Sequence, residues 1–123
     1  MKWRYDMSNF HSIKLPGVKF EGKIQNQHKK VIFEDRHNVI EIILGSYYHN
    51  GMNYVVAGHN CHVGEFSVAI NPNPENGVYM NERYAIISML CYLHETYGKQ
   101  WPAEVVKIIE LAVWENRQFS LFD

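Results

Sequence analysis

The segment at residues 71–77 constrains the fold of this chain more than any other feature. Its sequence, Asn-Pro-Asn-Pro-Glu-Asn-Gly, contains two prolines. A proline has no backbone N–H to donate and disfavours helical geometry in the residue before it, so neither a helix nor a central strand can pass through this segment. The spacing of apolar residues also changes here, from alternation before it to a helical period after it. Residues 71–78 are therefore predicted to connect two different structural regions.

Upstream of this connection, residues 18–70 are predicted to form an antiparallel sheet of about four to five strands. Alternating or β-branched apolar runs, which favour strands over helices, occupy residues 18–24, 29–35, 38–48, 52–57 and 66–70. Asn50-Gly51 tolerates the two positive φ angles of a type I′ turn, so we expect a hairpin there. Residues 58–64 are predicted to form a loop before the last strand.

Downstream of the connection, two helices are predicted at about residues 82–97 and 102–116. Asn81 can cap the first helix, and Pro102 suits the first position of the second. Each helix carries one apolar stripe, formed by Ile86, Leu90, Leu93 and Tyr97 in the first and by Val105, Ile109, Ala112 and Val113 in the second. Strands followed by helices are typical of an α+β fold, in which both helices cover one face of the sheet.

Size and charge limit the classes of protein to consider. A chain of 123 residues is expected to form a single domain over residues 1–123, with residues 1–17 as an arm or edge strand. The net charge of -1 gives no general electrostatic reason to bind nucleic acid or a membrane. The N-terminus lacks the apolar run of a signal peptide, and no stretch is long enough to span a membrane. We therefore expect a soluble cytoplasmic protein with reduced cysteines and no membrane partner.

A group of potential metal ligands lies in the predicted loop at residues 58–64. It contains His59, Cys61 and His62, while Cys91 and His94 are three residues apart on one side of the first helix. If the loop and the helix meet, these five residues could form a tetrahedral zinc site, and zinc is the one cofactor considered. Their spacing matches no established zinc signature, so a polar loop beside a buried, inert Cys91 is the favoured alternative.

The same residues allow a second interpretation, in which Cys61 is a nucleophile. His59 or His62 could stabilise its thiolate, and Glu65 could orient the imidazole. Adjacent side chains on an extended segment diverge, which disfavours this arrangement. Glycine-rich phosphate loops, the Gly-x-Ser-x-Gly elbow and the His-Glu-x-x-His motif are absent from the sequence, which excludes only those enzyme classes. No catalytic residue is assigned, and an enzyme is disfavoured.

Aromatic and basic residues near the N-terminus suggest a further alternative, binding to single-stranded nucleic acid. Trp3 and Tyr5 could stack on bases, while Arg4 and Lys14 could neutralise phosphates. On a strand, however, the lysines that follow share their face with acidic residues. An ordinary solvated surface therefore explains them better than a nucleic-acid site does.

The second helix carries apolar residues that lie off its core stripe. Leu111 and Trp114 fall at about 240° and about 180° from Val105 on an ideal helical wheel, on the face turned away from the core. Exposed aromatic anchors are typical of protein interfaces. A competing explanation is that the segment at residues 119–122 folds back over Trp114. Tyr47 and Tyr48 form a second aromatic group, one member of which must face outward.

These observations favour a small non-enzymatic interaction protein, such as an accessory or inhibitor protein of a bacterium or phage. Its partner would be another protein or a second copy of the chain, and we expect a weak homodimer through the second helix. The alternatives are a structural or hydrolytic metal-binding protein and a protein that binds single-stranded nucleic acid.

Overall fold

A computed structural model describes residues 12–120 of the chain, without the side chains of residues 118–120. The described elements are β1 (Gln25–Glu34), β2 (Asn38–His49), β3 (Met52–Val63), β4 (Phe66–Ile70), a 3-10 turn (Pro74–Asn76), α1 (Glu82–Tyr97) and α2 (Ala103–Ser120). The strands form one antiparallel sheet in the order β1-β2-β3-β4. A sheet followed by two C-terminal helices confirms the predicted α+β fold.

The hairpin between β2 and β3 is the longest regular feature of the sheet. Asn50 and Gly51 have φ angles of 49° and 85°, and His49 pairs directly with Met52 across the turn. The two-residue turn therefore sets the register of both strands over their full length.

Strand register determines which side chains enter the core. Ile40, Ile42 and Leu44 of β2 are at most 1% exposed, and they pair with Cys61, His59 and Ala57 of β3, respectively. Directly paired residues point to the same side of a sheet, so these side chains share one face. The helices cover this face: α1 packs against β2 and β3, while α2 packs against α1 and β1.

Both helices bury most of the stripe predicted for them, while Tyr97 and Ala112 are partly buried. In α1, Ile86, Leu90 and Leu93 are buried, and so are Ile87 and Cys91, because α1 packs against both the sheet and α2. A helix that is covered on two sides must be apolar over more than one stripe. In α2 the buried stripe consists of Val105, Ile109 and Val113.

The N-terminus of α1 is capped as the sequence predicts, and the cap can be tested. Asn81 Oδ1 accepts a hydrogen bond of 3.0 Å from the backbone N–H of Tyr84. Removing this acceptor leaves an N–H group of the first turn without its partner. We expect Asn81→Ala to lower the free energy of unfolding by about 1 kcal/mol in urea titrations, and Asn81→Asp to retain most of it. Equal losses in both variants would contradict a capping role.

The first predicted strand, residues 18–24, is not a strand in the structure. Ile24 instead lies over Gly45, so close that a Cβ on that glycine would overlap its side chain, and the Phe20 ring meets the Tyr47 ring edge-on at 6.0 Å. Gly45 lies on the face of the sheet opposite the helices. The alternation of apolar residues therefore comes from an irregular segment laid across this second face, not from pairing with another strand.

The predicted loop at residues 58–64 was also wrong, since β3 continues to Val63. Residues 59–63 of β3 pair with β2 on one side and with β4 on the other. This pairing satisfies the backbone, so polar side chains do not prevent the strand from continuing. The turn between β3 and β4 contains only Gly64 and Glu65.

The proline-containing connection packs tightly against the sheet. Pro72 and Pro74 are buried, and Tyr79 exchanges two 2.8 Å backbone hydrogen bonds with Val55. The connection crosses β3 at Gly58, where an added Cβ would overlap the carbonyl oxygen of Ile70 and lie 2.8 Å from the backbone nitrogen of Pro72. Only glycine leaves room for this crossing.

β1 forms one edge of the described sheet and is exposed over most of its length. Its register with β2 shifts twice, between Gln25 and His28 and between Val31 and Phe33. Such shifts bend and twist a strand locally.

Among the described residues, no helix is long and apolar enough to cross a membrane.

Candidate functional site

The structure does not bring the five predicted metal ligands together. His59 and Cys61 point towards the helices, whereas the next residue, His62, points to the other face of the sheet. The Nδ1 atom of His62 lies 2.7 Å from Ser67 Oγ. Cys91 is buried in the core, and His94 faces α2. Within residues 12–120, no group of three or more His, Cys, Asp or Glu side chains is arranged to hold a metal ion.

Cys61 has the environment of a core residue. It is 0% exposed, and burial raises the pKa of its thiol to about 12. A nucleophilic cysteine needs a thiolate and access to a substrate, and Cys61 has neither at neutral pH. Glu65, the acid considered for orienting the imidazole, is exposed in the β3–β4 turn.

His59 is the buried polar residue that the sequence analysis placed wrongly. Its side chain is 2% exposed, and neither ring nitrogen has a hydrogen-bond partner among the described residues. Its ring centroid lies 5.9 Å from that of Tyr92 on α1. Burial lowers the pKa of His59 to about 4, so the imidazole is neutral at pH 7. His59 therefore acts as a core side chain with an unsatisfied polar ring.

A partly buried histidine, His94, links the two helices. His94 Nε2 on α1 lies 4.0 Å from Glu110 Oε1 on α2, and the two side chains are only 14% and 11% exposed. Burial lowers the pKa of His94, and the nearby Glu110 carboxylate partly opposes this effect. The sequence contains no signal for this pair, because the residues are 16 positions apart and on different helices. Glu110 is also next to the exposed surface of α2.

That surface, formed by Lys107, Leu111 and Trp114, is called the α2 patch below. Leu111 and Trp114 are 55% and 54% exposed, in agreement with their positions on the helical wheel. The three residues and Glu110 line a groove of about 420 Å³. The i, i+4, i+7 spacing places them along one side of the helix. The competing hypothesis, in which residues 119–122 cover Trp114, depends on side chains outside the described part of the chain.

The second aromatic group is divided by the hairpin. Tyr48 is 69% exposed, while Tyr47 is half-buried, with its ring between those of Phe20 and His49. Only Tyr48 therefore offers a free aromatic surface at this end of the sheet. Met52, across the turn at the start of β3, is also exposed, at 44%.

The residues proposed for nucleic-acid binding are mostly outside the described part. Trp3, Arg4 and Tyr5 lie in residues 1–11, and Lys14 is exposed. The lysines of β1 do not form one basic face: Lys29 and Lys30 are successive strand residues and point to opposite sides of the sheet. Lys29 Nζ is also 3.9 Å from Glu41 Oε1, which offsets its charge locally.

Comparisons with protein-family models, with curated proteins and with solved structures find no match to this chain.

Exposure, spacing and chemistry make the α2 patch the candidate site. Two apolar side chains, one of them a tryptophan, lie together on a helix that is firmly packed on its other side. Such a rigid apolar surface is suited to binding another polypeptide.

Proposed function

We propose that this protein is a non-enzymatic interaction protein that binds another polypeptide through the α2 patch. The observation that carries the proposal is the joint exposure of Leu111 and Trp114 on one side of α2. Water contact with this much apolar surface is unfavourable by about 25 cal/mol per Å², and a partner that covers it recovers that free energy. We propose that it acts in the cytoplasm as an accessory or inhibitor protein encoded by a bacterium or a phage.

The chemistry of the patch defines the kind of partner that fits. Lys107 lies one turn before Leu111, and Glu115 lies one turn after it, so the apolar centre has a positive end and a negative end. An amphipathic helix with a short apolar stripe and oppositely charged ends would complement both features. We therefore expect the partner to present a helix.

The proposal can be tested by replacing Leu111 with the photo-cross-linking residue benzoylphenylalanine in the full chain, in its source cells. We expect one discrete adduct, whose attachment point is then sequenced, and we expect its yield to fall at least about fivefold when Trp114→Ala is added. The matched control carries the same residue at Val31, which is 48% exposed on β1. Identical adducts from both positions, no adduct from position 111, or attachment to residues 119–122 of the same molecule would each overturn the proposal.

A further inference from the structure

β4 forms the edge of the described sheet opposite β1, and it is built differently from β1. It pairs with β3 without a register shift, and its sequence, Phe-Ser-Val-Ala-Ile, contains no charged residue and no proline. Proteins commonly protect a sheet edge with a bulge, a charged side chain or a proline, because an unprotected edge can pair with another strand. β4 is therefore an edge that is open to the addition of a strand.

The two-residue turn before β4 determines which of its backbone groups face outward. The residues that flank this turn, Val63 and Phe66, are paired, so they exchange both of their backbone hydrogen bonds. Every second residue of β4 is bonded to β3 in this way, which leaves the N–H and C=O groups of Ser67 and Ala69 directed away from β3. Both residues are exposed, and within residues 12–120 no backbone hydrogen bond joins these outward groups to another segment.

We infer that β4 pairs with β4 of a second copy of this chain, with the two strands antiparallel about a twofold axis at Val68. The axis is perpendicular to the sheet, so every side chain stays on its own face. Ser67 then faces Ala69 of the second copy, and this pair exchanges two backbone hydrogen bonds. The axis repeats the pair, so every outward N–H and C=O group of Ser67 and Ala69 gains a partner. This surface is separate from the α2 patch, and the inference therefore goes beyond the proposed function.

The side chains of β4 also complement those of a second copy. On the face that the helices cover, Val68 meets Val68 of the second copy, and Ile70, which is 40% exposed, meets the partly buried Phe66. These are the non-hydrogen-bonded pairs of the new ladder, in which side chains lie closest. On the other face, Ser67 and Ala69 are small and leave room for the second strand. Because β4 carries no charged side chain, its pairing with its own copy brings no like charges together.

The extent of the contact predicts a weak dimer that does not grow further. β4 contributes five residues from each copy, against roughly 20–30 residues a side in a stable interface. We therefore expect the dimer to dissociate on dilution. The joined sheet would have β1 at both of its ends, where the register shifts of β1 disfavour a further strand.

The first test is sedimentation equilibrium of the full chain over protein concentrations from about 10 µM to about 1 mM. Ala69→Pro removes the outward N–H group of residue 69, which the pairing of β4 with β3 does not use. We expect it to weaken dimerisation at least about tenfold and to leave the circular dichroism spectrum unchanged. Ala69→Ser keeps the N–H group and is the matched control, which should dimerise like the unmodified chain.

The second test detects the register of the two strands and does not depend on the proline variant. Ser67→Cys and Ala69→Cys are mixed in equal amounts in a buffer of reduced and oxidised glutathione. Facing Cα atoms would be about 5.5 Å apart, within disulfide range, whereas each new cysteine lies more than about 7 Å from its own equivalent. We expect at least about fivefold more linked dimer in the mixture than with either variant alone, measured on non-reducing gels. The native Cys61 and Cys91 are buried.

The outcomes separate this inference from the proposed function. A chain that stays monomeric at all concentrations would overturn self-association, while a cross-link from position 111 to a different polypeptide would still support binding through the α2 patch. A folded Ala69→Pro variant that dimerises like the unmodified chain would show that association does not use β4. Equal linkage in the mixture and in the separate cysteine variants, or no linkage in the mixture, would overturn the antiparallel register at Val68.

Discussion

Acidification from pH 7 to pH 4 should lower the free energy of unfolding by about 3 kcal/mol through His59 alone. In the unfolded chain this imidazole has its ordinary pKa of 6.5, and in the folded chain burial lowers the pKa to about 4. Between these values the unfolded state binds a proton that the folded state does not. Stability is therefore fully present above pH 6.5 and is lost as the pH falls towards 4. The lowered pKa of His94 adds to the loss in the same direction.

The contribution of His59 can be isolated by replacing it with leucine, which has a similar volume and no ring nitrogen. In urea titrations at a series of pH values, we expect His59→Leu to flatten the pH dependence between 4 and 6.5. At pH 7 it should raise the free energy of unfolding by about 1 kcal/mol, because it removes two buried nitrogens that have no hydrogen-bond partner within residues 12–120. His62→Leu, at an exposed position of the same strand, should retain the slope. Parallel curves for His59→Leu and the unmodified chain would contradict the burial argument.

Gly58→Ala should destabilise the fold by about 3 kcal/mol. The added methyl group would overlap the carbonyl oxygen of Ile70 and lie 2.8 Å from both the carbonyl carbon of Asn71 and the backbone nitrogen of Pro72. All three atoms belong to the backbone, which cannot move away as a side chain can. The connection would have to lift from β3, weakening the packing of the buried prolines.

Gly45→Ala provides the matched comparison, since the same change is made one strand away on the same face of the sheet. Here the nearest atom is the Cγ2 methyl group of Ile24, a side-chain atom that can be displaced by a change in χ1, and the nearest backbone atom, Gln25 O, is 3.2 Å away. We expect a loss of about 1 kcal/mol, measured by thermal and urea unfolding. Equal effects at the two positions would show that backbone contact at Gly58 is not the deciding factor.

Local rules predicted the helices and the central hairpin because each has a signal in adjacent residues. Asn81 caps α1, Gly98 follows its last turn, and Asn50-Gly51 sets the hairpin turn. These groups act within a few positions of the chain, so their effect does not depend on the rest of the fold.

The parts that sequence analysis missed depend on distant contacts. The alternation of apolar residues over residues 18–24 indicates only that every second side chain is covered. An irregular segment that lies over Gly45 covers its side chains in this way just as a strand would. The role of His59 depends on the phase of β3: a shift of one residue would move it to the other face of the sheet. The pairing of β3 with both β2 and β4 sets that phase, and no local pattern at residues 58–64 reveals it.

The extent of α2 was predicted less well than its exposed face. The predicted helix ended at about residue 116, which leaves Glu115 in its last turn. In the structure α2 continues to Ser120, so Glu115 lies inside regular helix, where it lines a second groove together with Lys30 and Arg83. Helix ends are the least certain part of a periodicity argument.

The irregular edge at β1 has a consequence for how copies of this protein can assemble. A straight edge strand exposes a row of free N–H and C=O groups, which invites a neighbouring molecule to add its own strand and so start a growing aggregate. The two register shifts of β1 break that row, and Lys29 and Lys30 place positive charges beside it. The addition of further strands at this edge of the sheet is thereby opposed.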